Sequence, residues 1–423
     1  MSTPVDETPA PEPILAAAIR QGLLDEGAPA ALFYDLEALG ARLSALSAAF
    51  PGALHALAVK ACPLPALLGP AVREGFGLEV ASEGEIALAH HLGAPADRVV
   101  FDSPAKTRRE IALAAARGYR LNIDNLEELG RVRELLEGRD PRAPRPRSVG
   151  VRINPGLSGG RIAATFTARK GAKFGVDLED DRGALLDAFS AHPWLDGLHV
   201  HAGSQGVPLD VLVDAVARVA DLGAEIEARG GRLRVFDIGG GLPVAYRPGE
   251  AAPDFAEYAA ALRERLPGLF DGRLAIVTEF GRAVFARAAF AASRVEYVRS
   301  GGVAVIHLGA DLFVRTAYRP ADWYHRVEVF DARGAPKRGP VSPWSIAGPL
   351  CFSGDFVAEG RMLPEVTEGD VIVIRDAGAY TLSMWSRYNS RLAPAVYGAD
   401  ASGLRLLKPR ETAEDVLRFW SAT

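Results

Sequence analysis

The sequence predicts an α/β fold, a (β/α)8 TIM barrel, followed by a C-terminal all-β domain, and three observations predict it. Eight short, apolar, β-branched runs alternate with helical stretches through the first two-thirds of the chain. The polar and glycine-rich residues gather at the C-terminal ends of those runs. After about residue 285, strand-like runs follow one another with no helical pattern between them.

The elements follow in chain order. "MSTPVDETPAPEP" is acidic and proline-rich, the opposite of a signal peptide, and reads as the start of a disordered arm over residues 1–28. "PAALFYD" (29–35) is a candidate strand of the β domain. The barrel is expected over 36–285, with strands "ALHALAVK" (53–60), "GFGLEVAS" (75–82), "RVVFDSP" (98–104) and "RLNIDN" (120–125). Its second half is "RSVGVRINP" (147–155), "GLHVHAGS" (197–204), "LRVFDIGGG" (233–241) and "LAIVTEFG" (274–281). Between strands lie patterns such as "TRREIALAAARG", apolar at helical spacing with a glycine stop. A doubly wound open sheet also alternates strands and helices, but its dinucleotide fingerprint is missing after the first strand. Residues 286–423 complete the β domain through runs such as "SRVEYVRS", "VAVIHLG", "RVEVFDA", "DVIVIRDA" and "LAPAVYG".

Composition bounds the function. The 423 residues are 48% hydrophobic and 24% charged, the profile of a soluble globular protein. A net charge of −5 gives a nucleic-acid or anionic-membrane partner no electrostatic support. No run approaches the ~18 apolar residues of a membrane span. The two cysteines, Cys62 and Cys351, cannot build a disulfide framework, so a reducing, cytoplasmic setting is expected.

The candidate site is the C-terminal rim, where Lys60, Glu79, Arg152, His201, Ser204, Gly239, Gly240, Gly241 and Glu279 all fall. Lys60, in "AVKA", is either a surface lysine rounding off a strand or an amine kept for covalent chemistry. A lysine among phosphate-binding loops points to pyridoxal 5'-phosphate. That cofactor needs an amine, a phosphate nest, a ring-nitrogen partner and something against its ring face. Three glycines in "DIGGGLP" let backbone N–H groups converge on an anion, although such triplets also make plain turns. Ser204, Gly281 and Arg282 can add a hydroxyl, a backbone amide and a charge. Glu279 is the ring-nitrogen candidate, or else a structural partner of Arg282. His199 and His201 are two apart on one strand and face the same way, which raises a metal site as a rival. No third ligand stands at matching spacing. His201 is therefore read as lying against the ring and His199 as a packed core histidine, with no metal.

Together these motifs resemble the fold-type III pyridoxal-phosphate decarboxylases, the diaminopimelate and ornithine decarboxylase group, with an alanine racemase-like barrel. The matches are "AVKA" at Lys60, "VRINPG" at Arg152, "KFGV" at Lys173, "HAGSQ" at His201, "DIGGGLP" at Gly239 and "EFGR" at Glu279. "GPLCFSGD" around Cys351, "DAGAY" ending in Tyr380 and "SRYNSR" around Asn389 continue the series. Diaminopimelate decarboxylase is the nearer relative. The resemblance implies a small amino-acid substrate and a head-to-tail homodimer with active sites at the interface. Lys60 would carry the cofactor, Tyr380 would reach its phosphate, and Cys351 of the other subunit would return a proton, with Asp355 shaping the shared site. An alanine racemase would place an arginine where Glu279 stands. A non-catalytic, regulatory relative would be expected to lose Lys60 or Cys351, and both are kept.

Departures from the pattern concern the substrate. The relatives carry a glutamate directly after the cysteine, which in diaminopimelate decarboxylase reads the distal ammonium group; here the residue is Phe352. An apolar ring gives a buried ammonium no counter-charge. Arg387, before the Tyr388–Asn389 pair, and Arg315 and Tyr318, with Arg319 nearby, are candidates for holding a carboxylate. Phe280 replaces a usual proline and Cys62 a common asparagine, both tolerable. The expected reaction is decarboxylation of an amino acid or conjugate with a neutral or carboxylate-bearing distal end. Polycarboxylate-linked substrates of siderophore-pathway decarboxylases are one such class. The alternative is diaminopimelate decarboxylation, with Arg387 solvated and Phe352 only lining a wall.

Overall fold

The structure, a computed structural model, describes residues 10–137 and 142–422. It divides into two compact units, one of Leu43–Val244 with Ala252–Ala283 and one of the described remainder.

The first unit is the barrel. Its eight parallel strands are Leu54–Ala58, Gly77–Val80, Val99–Asp102, Arg120–Ile123, Val149–Asn154, Gly197–His199, Val235–Asp237 and Ala275–Thr278. Each pairs with the next in order, and the ring closes where Thr278 lies opposite His55. All eight expected strands are present but shorter than their apolar runs. The runs continue past the last ladder bond into turns, and those turns carry the polar residues. Lys60, for example, sits in a single 3-10 turn, Val59–Ala61, just beyond the first strand. A short extra strand, Val176–Asp177, pairs with the fifth and was not expected.

The barrel interior is filled by side chains. Ala56, Val100 and Val277 form one buried cluster, with Leu54 and Val235 against it. Beside it His55 Nδ1 lies 3.0 Å from Thr278 Oγ1, and burial lowers this imidazole to about 4. The helices between strands are delimited as their sequences imply. In Arg108–Arg117, Thr107 and Glu110 form a capping box, and Gly118 closes the helix at φ 73°.

The second unit is a mostly antiparallel sheet. Its main path runs Phe356–Pro364, Val341–Ala347, Val303–Ile306, Ala289–Arg299, Ala30–Asp35, Ala395–Asp400 and Gly403–Lys408. Val371–Ile374 pairs with Ala289–Arg299 and with Val327–Phe330. The predicted strand at 29–35 joins this sheet between Ala289–Arg299 and Ala395–Asp400.

The expected disordered arm over residues 1–28 requires correction. Residues 1–9 lie outside the described residues, but Glu12–Arg20 is an α-helix. Proline suits its first turn, where the amide has no helical acceptor. Leu15, Ala18 and Leu24 then enter a core with Phe33, Phe290 and Phe330. The Phe33 ring stacks on Phe290 at 5.3 Å and on Tyr397 at 5.7 Å. The acidic, proline-rich lead hid a short amphipathic segment behind it. Among the described residues, no helix is long and apolar enough to cross a membrane.

Candidate active site

The ends of all the barrel strands converge on one rim, and its chemistry is that of buried charge. Lys60 Nζ donates to both oxygens of Glu79, at 2.6 and 2.5 Å, from the turn after the first strand to the end of the second. Glu79 is fully buried, and burial, only partly opposed by Lys60 and reinforced by Glu279 and Asp102, raises its carboxyl to about 8. A carboxyl so placed can hold a proton beside the Lys60 amine near neutral pH.

Across the rim, Glu279 ends the eighth strand and is 2% exposed. His199 Nε2 lies 3.3 Å from Glu279 Oε2, and His199 Nδ1 lies 3.8 Å from Asp102 Oδ1. Arg152 Nη1 donates to Asp102 Oδ2 at 3.0 Å. Burial alone would push His199 down, but Glu279, Asp102 and Asp237 overcome it and lift the imidazole to about 9. Burial likewise favours a neutral Glu279, yet His199 outweighs it and holds this carboxyl below its ordinary range. His199 is therefore more than the packed core histidine expected from the sequence.

His201 behaves oppositely. Burial first, then Arg152 and Lys60, lower it to about 3, so its ring is neutral. Its Nδ1 accepts the Gly240 N–H at 3.2 Å. The structure also supplies the third group that the sequence did not show for a metal site, since Glu279 comes within 4.8 Å of both histidines.

The glycine triplet follows the seventh strand. A Cβ at Gly239 would meet the Val200 carbonyl, one at Gly240 the Glu279 carbonyl, and one at Gly241 the Gly203 carbonyl. Gly239 and Gly241 also take left-handed φ values of 65° and 92°. Asp237 fixes the start of this loop by accepting the Gly239 N–H at 2.9 Å. Beside it Arg282 Nε donates to the Ser204 carbonyl at 2.8 Å and Nη2 to Ser204 Oγ at 3.1 Å. Arg282 thus binds Ser204, and Glu279 lies beside His199. Gly281 lies between them in sequence, at the end of the eighth strand's loop. The loop after the fifth strand lies along the Ser204 loop, with Thr167 N donating to the Ala202 carbonyl at 2.9 Å and Ser204 N to the Thr165 carbonyl at 3.0 Å.

The β unit gathers a second group. Cys351 is exposed, and its turn is held by Asn389 Oδ1, which accepts the Cys351 N–H at 2.7 Å. Tyr388 donates its hydroxyl to the Cys351 carbonyl at 3.0 Å. Asp355 accepts the Ala310 and Leu350 N–H groups at 2.5 and 2.6 Å. The Phe352 ring stacks on Tyr318 at 5.2 Å and 15°. Tyr380 and Asn389 both sit in left-handed backbone, at φ 55° and 56°. Such strain in non-glycine residues collects at functional loops.

The arginines assigned to a substrate carboxylate are engaged elsewhere. Arg387 Nη2 donates to Glu411 Oε1 at 2.7 Å, and its guanidinium lies 4.2 Å from the Phe419 ring centroid. Arg315 donates to the Ala379 carbonyl at 3.2 Å and lies over Trp323. Arg319 binds Asp322 at 2.7 Å. The partners of Arg387 and Arg315 stand 24 and 64 residues away in sequence, whereas Asp322 is only three residues from Arg319.

Comparison with known proteins decides the family. The pyridoxal-binding domain of the pyridoxal-dependent decarboxylases matches residues 36–286. The chain belongs to the pyridoxal-dependent decarboxylases. Among its relatives, diaminopimelate decarboxylase of Actinosynnema pretiosum is 35% identical over 394 residues, 89% of this chain and 85% of that one. The enzyme of the same name from Archaeoglobus fulgidus is 31% identical over 385 residues, 89% and 88% of the two chains. Among solved structures, diaminopimelate decarboxylase from Helicobacter pylori complexed with L-lysine has a TM-score of 0.85 at 27% identity, covering 95% of this chain and 98% of that one. This decarboxylase is thus a pyridoxal-phosphate-dependent carboxy-lyase acting on an amino acid, built as a TIM barrel with a separate sheet.

The rim of this decarboxylase fits the cofactor. Glu279 Oε1 is buried with no hydrogen-bond partner among the described residues, which suits a ring N–H. The triplet offers a backbone loop that no side chain could occupy, which suits a phosphate.

Proposed function

We propose that this decarboxylase removes the α-carboxylate of an amino acid, or amino-acid conjugate, whose distal end is neutral or carboxylate-bearing. The observation that carries this reading is Phe352, directly after Cys351 and stacked on Tyr318. Two aromatic faces form a wall with no anion, and a distal ammonium desolvated against it would go unpaired. The three arginines have partners of their own, so the weight rests on Phe352. Polycarboxylate-linked amino acids, as in siderophore-pathway decarboxylases, fall within this class.

Lys60, His201, Ser204, Gly239, Gly240, Gly241, Glu279, Gly281, Arg282 and Tyr380 would hold pyridoxal 5'-phosphate. When bound, it supplies an electron sink for the pair released as carbon dioxide leaves. Lys60 supplies the attaching amine, and Glu79 accepts or returns the proton that this amine must lose or gain. Glu279, ionised, would keep a proton on the ring nitrogen. His201, neutral, would face the ring without adding charge. Cys351 returns a proton to the substrate carbon, its turn held by Asn389 and Tyr388. We place Cys351, Asp355 and Tyr380 at a site shared between two copies of the chain in a cytoplasmic homodimer, on the strength of the motif series.

The names of the relatives favour a second reading, meso-diaminopimelate decarboxylation. Carbon-dioxide release across basic, neutral and polycarboxylate-linked amino acids separates the two. The proposal expects Phe352→Glu to raise kcat/KM for diaminopimelate by roughly 10- to 100-fold, the worth of one buried charge pair. Wild-type turnover of diaminopimelate above every other substrate, with no gain in Phe352→Glu, would establish the second reading instead.

A further inference from the structure

His199 is completely buried and belongs to no part of the site yet given a task. Its two ring nitrogens face two different carboxylates, Glu279 at 3.3 Å and Asp102 at 3.8 Å. Asp102 is tied to Arg152 at 3.0 Å, and Arg152 is 5% exposed. The order Arg152, Asp102, His199, Glu279 alternates in sign from the fifth strand through the third and sixth to the eighth. In a low-dielectric interior, alternation of this kind offsets the desolvation of each member, and an imidazolium is the only charge at its centre that keeps it. The next place in the series, beyond Glu279, suits a cation.

The remaining groups around His199 do not compete with this order. Asp237, at the end of the seventh strand, is raised to about 8 by burial and by Glu279. Glu79, on the second strand, is raised to about 8 as well, and both are neutral at pH 7. Asp124, after the fourth strand, is 3.7 Å from Arg152 and faces it. His201 is neutral, and Lys60, in the turn after the first strand, pairs with Glu79. Lys106 pairs with Glu128 at 2.9 Å.

We propose that His199 is a positioning residue that acts through Glu279, clamping one carboxylate oxygen as an imidazolium braced by Asp102 and leaving the other for the cofactor's ring nitrogen. This goes beyond the ring-nitrogen assignment of Glu279 and rests on it. The placement of the two Glu279 oxygens fits. Oε2 is the oxygen that lies 3.3 Å from His199 Nε2, and neither oxygen has any other hydrogen-bond partner among the described residues, so Oε1 stays open to the cofactor.

Two measurements on the full chain test it. In cofactor-free protein carrying 15N-labelled histidine, one of the eight imidazoles should stay protonated on both nitrogens to about pH 8, and that signal should vanish in His199→Gln. Asp102→Asn, a milder variant should His199→Gln fail to fold, should move the same signal to a lower pH midpoint. An imidazole already neutral at pH 7 overturns the proposal. In loaded enzyme, His199→Gln should lower kcat on the order of 10- to 100-fold with KM within about twofold, and should shift the pH midpoint of the cofactor's absorbance. Its effect should not add to that of Glu279→Gln. Additive losses with an unmoved absorbance midpoint, as a packing defect would give, also overturn it. If Glu279→Gln leaves the absorbance untouched while the doubly protonated imidazole persists, the ring-nitrogen assignment fails and the His199–Glu279 pair stands.

Discussion

The barrel rim and the loops of the β unit both carry site residues, but they hold them by different physics. On the rim, Asp102, Arg152, His199 and Glu279 are charges taken out of water and balanced against one another, and the buried Glu79 holds the partly exposed Lys60. In the β unit, the Cys351 turn is exposed and is held by neutral hydrogen bonds, its N–H donating to Asn389 and its carbonyl accepting from Tyr388, beside left-handed backbone at Tyr380, Asn389 and Ser390. The first arrangement sets protonation states. The second sets the placement of a group that must meet a substrate. A change on the rim should therefore register as a change in titration or cofactor chemistry, and a change in the β unit as a change in rate or substrate preference.

The largest effect belongs to the rim. Lys60→Ala should abolish turnover and the visible absorbance of attached cofactor, read by spectrophotometry of the reconstituted protein. A retained absorbance would remove Lys60 from the covalent role. Cys351→Ala comes next. It should slow carbon-dioxide release by about 10²- to 10⁴-fold, the usual worth of one positioned proton donor, with cofactor still bound. Loss of cofactor in that variant would blur the distinction between the two regions.

The pH dependence of stability sharpens it further. His199 is raised from 6.5 to about 9, so the stabilisation it provides is complete below pH 6.5 and fades as pH rises through 9. Glu79 and Asp237, raised to about 8, act with the same sign, because the folded chain holds protons there that the unfolded chain has released. The melting temperature of cofactor-free protein should fall from pH 6.5 to 9, and the fall should be shallower in His199→Gln. A flat profile would mean that the rim charges are not coupled to folding.

Smallest of all is Arg387→Ala. With its guanidinium bound to Glu411 and laid on Phe419, its removal should cost stability of about 1 kcal/mol or less, leaving substrate preference unchanged. A shift in preference among substrates, measured as relative kcat/KM, would return Arg387 to the substrate.

The same contrast explains what could be read from the sequence. The eight barrel strands were legible because each is a short apolar run bounded by turn residues, and the rim because Lys60, the glycine triplet and Glu279 close three of those runs. The pairings within the rim were not legible. Asp102, His199 and Glu279 end the third, sixth and eighth strands, and only closure of the barrel brings them together. The grip of Glu79 on Lys60, across neighbouring strands, is a contact that strand order alone could have suggested. In the β unit, Cys351 and Asn389 stood out by motif, whereas the loss of Arg387 to Glu411, 24 residues later, left no local trace. The helix Glu12–Arg20 was missed because its apolar stripe is brief and follows a lead rich in proline and acid.

One measurement bears most directly on the claim that the barrel rim holds the cofactor through a single amine. The reconstituted protein is reduced with borohydride, digested, and the modified lysine located by mass spectrometry. A single pyridoxyl-bearing peptide containing Lys60 is the predicted result. Modification at another lysine, or at none, would contradict it.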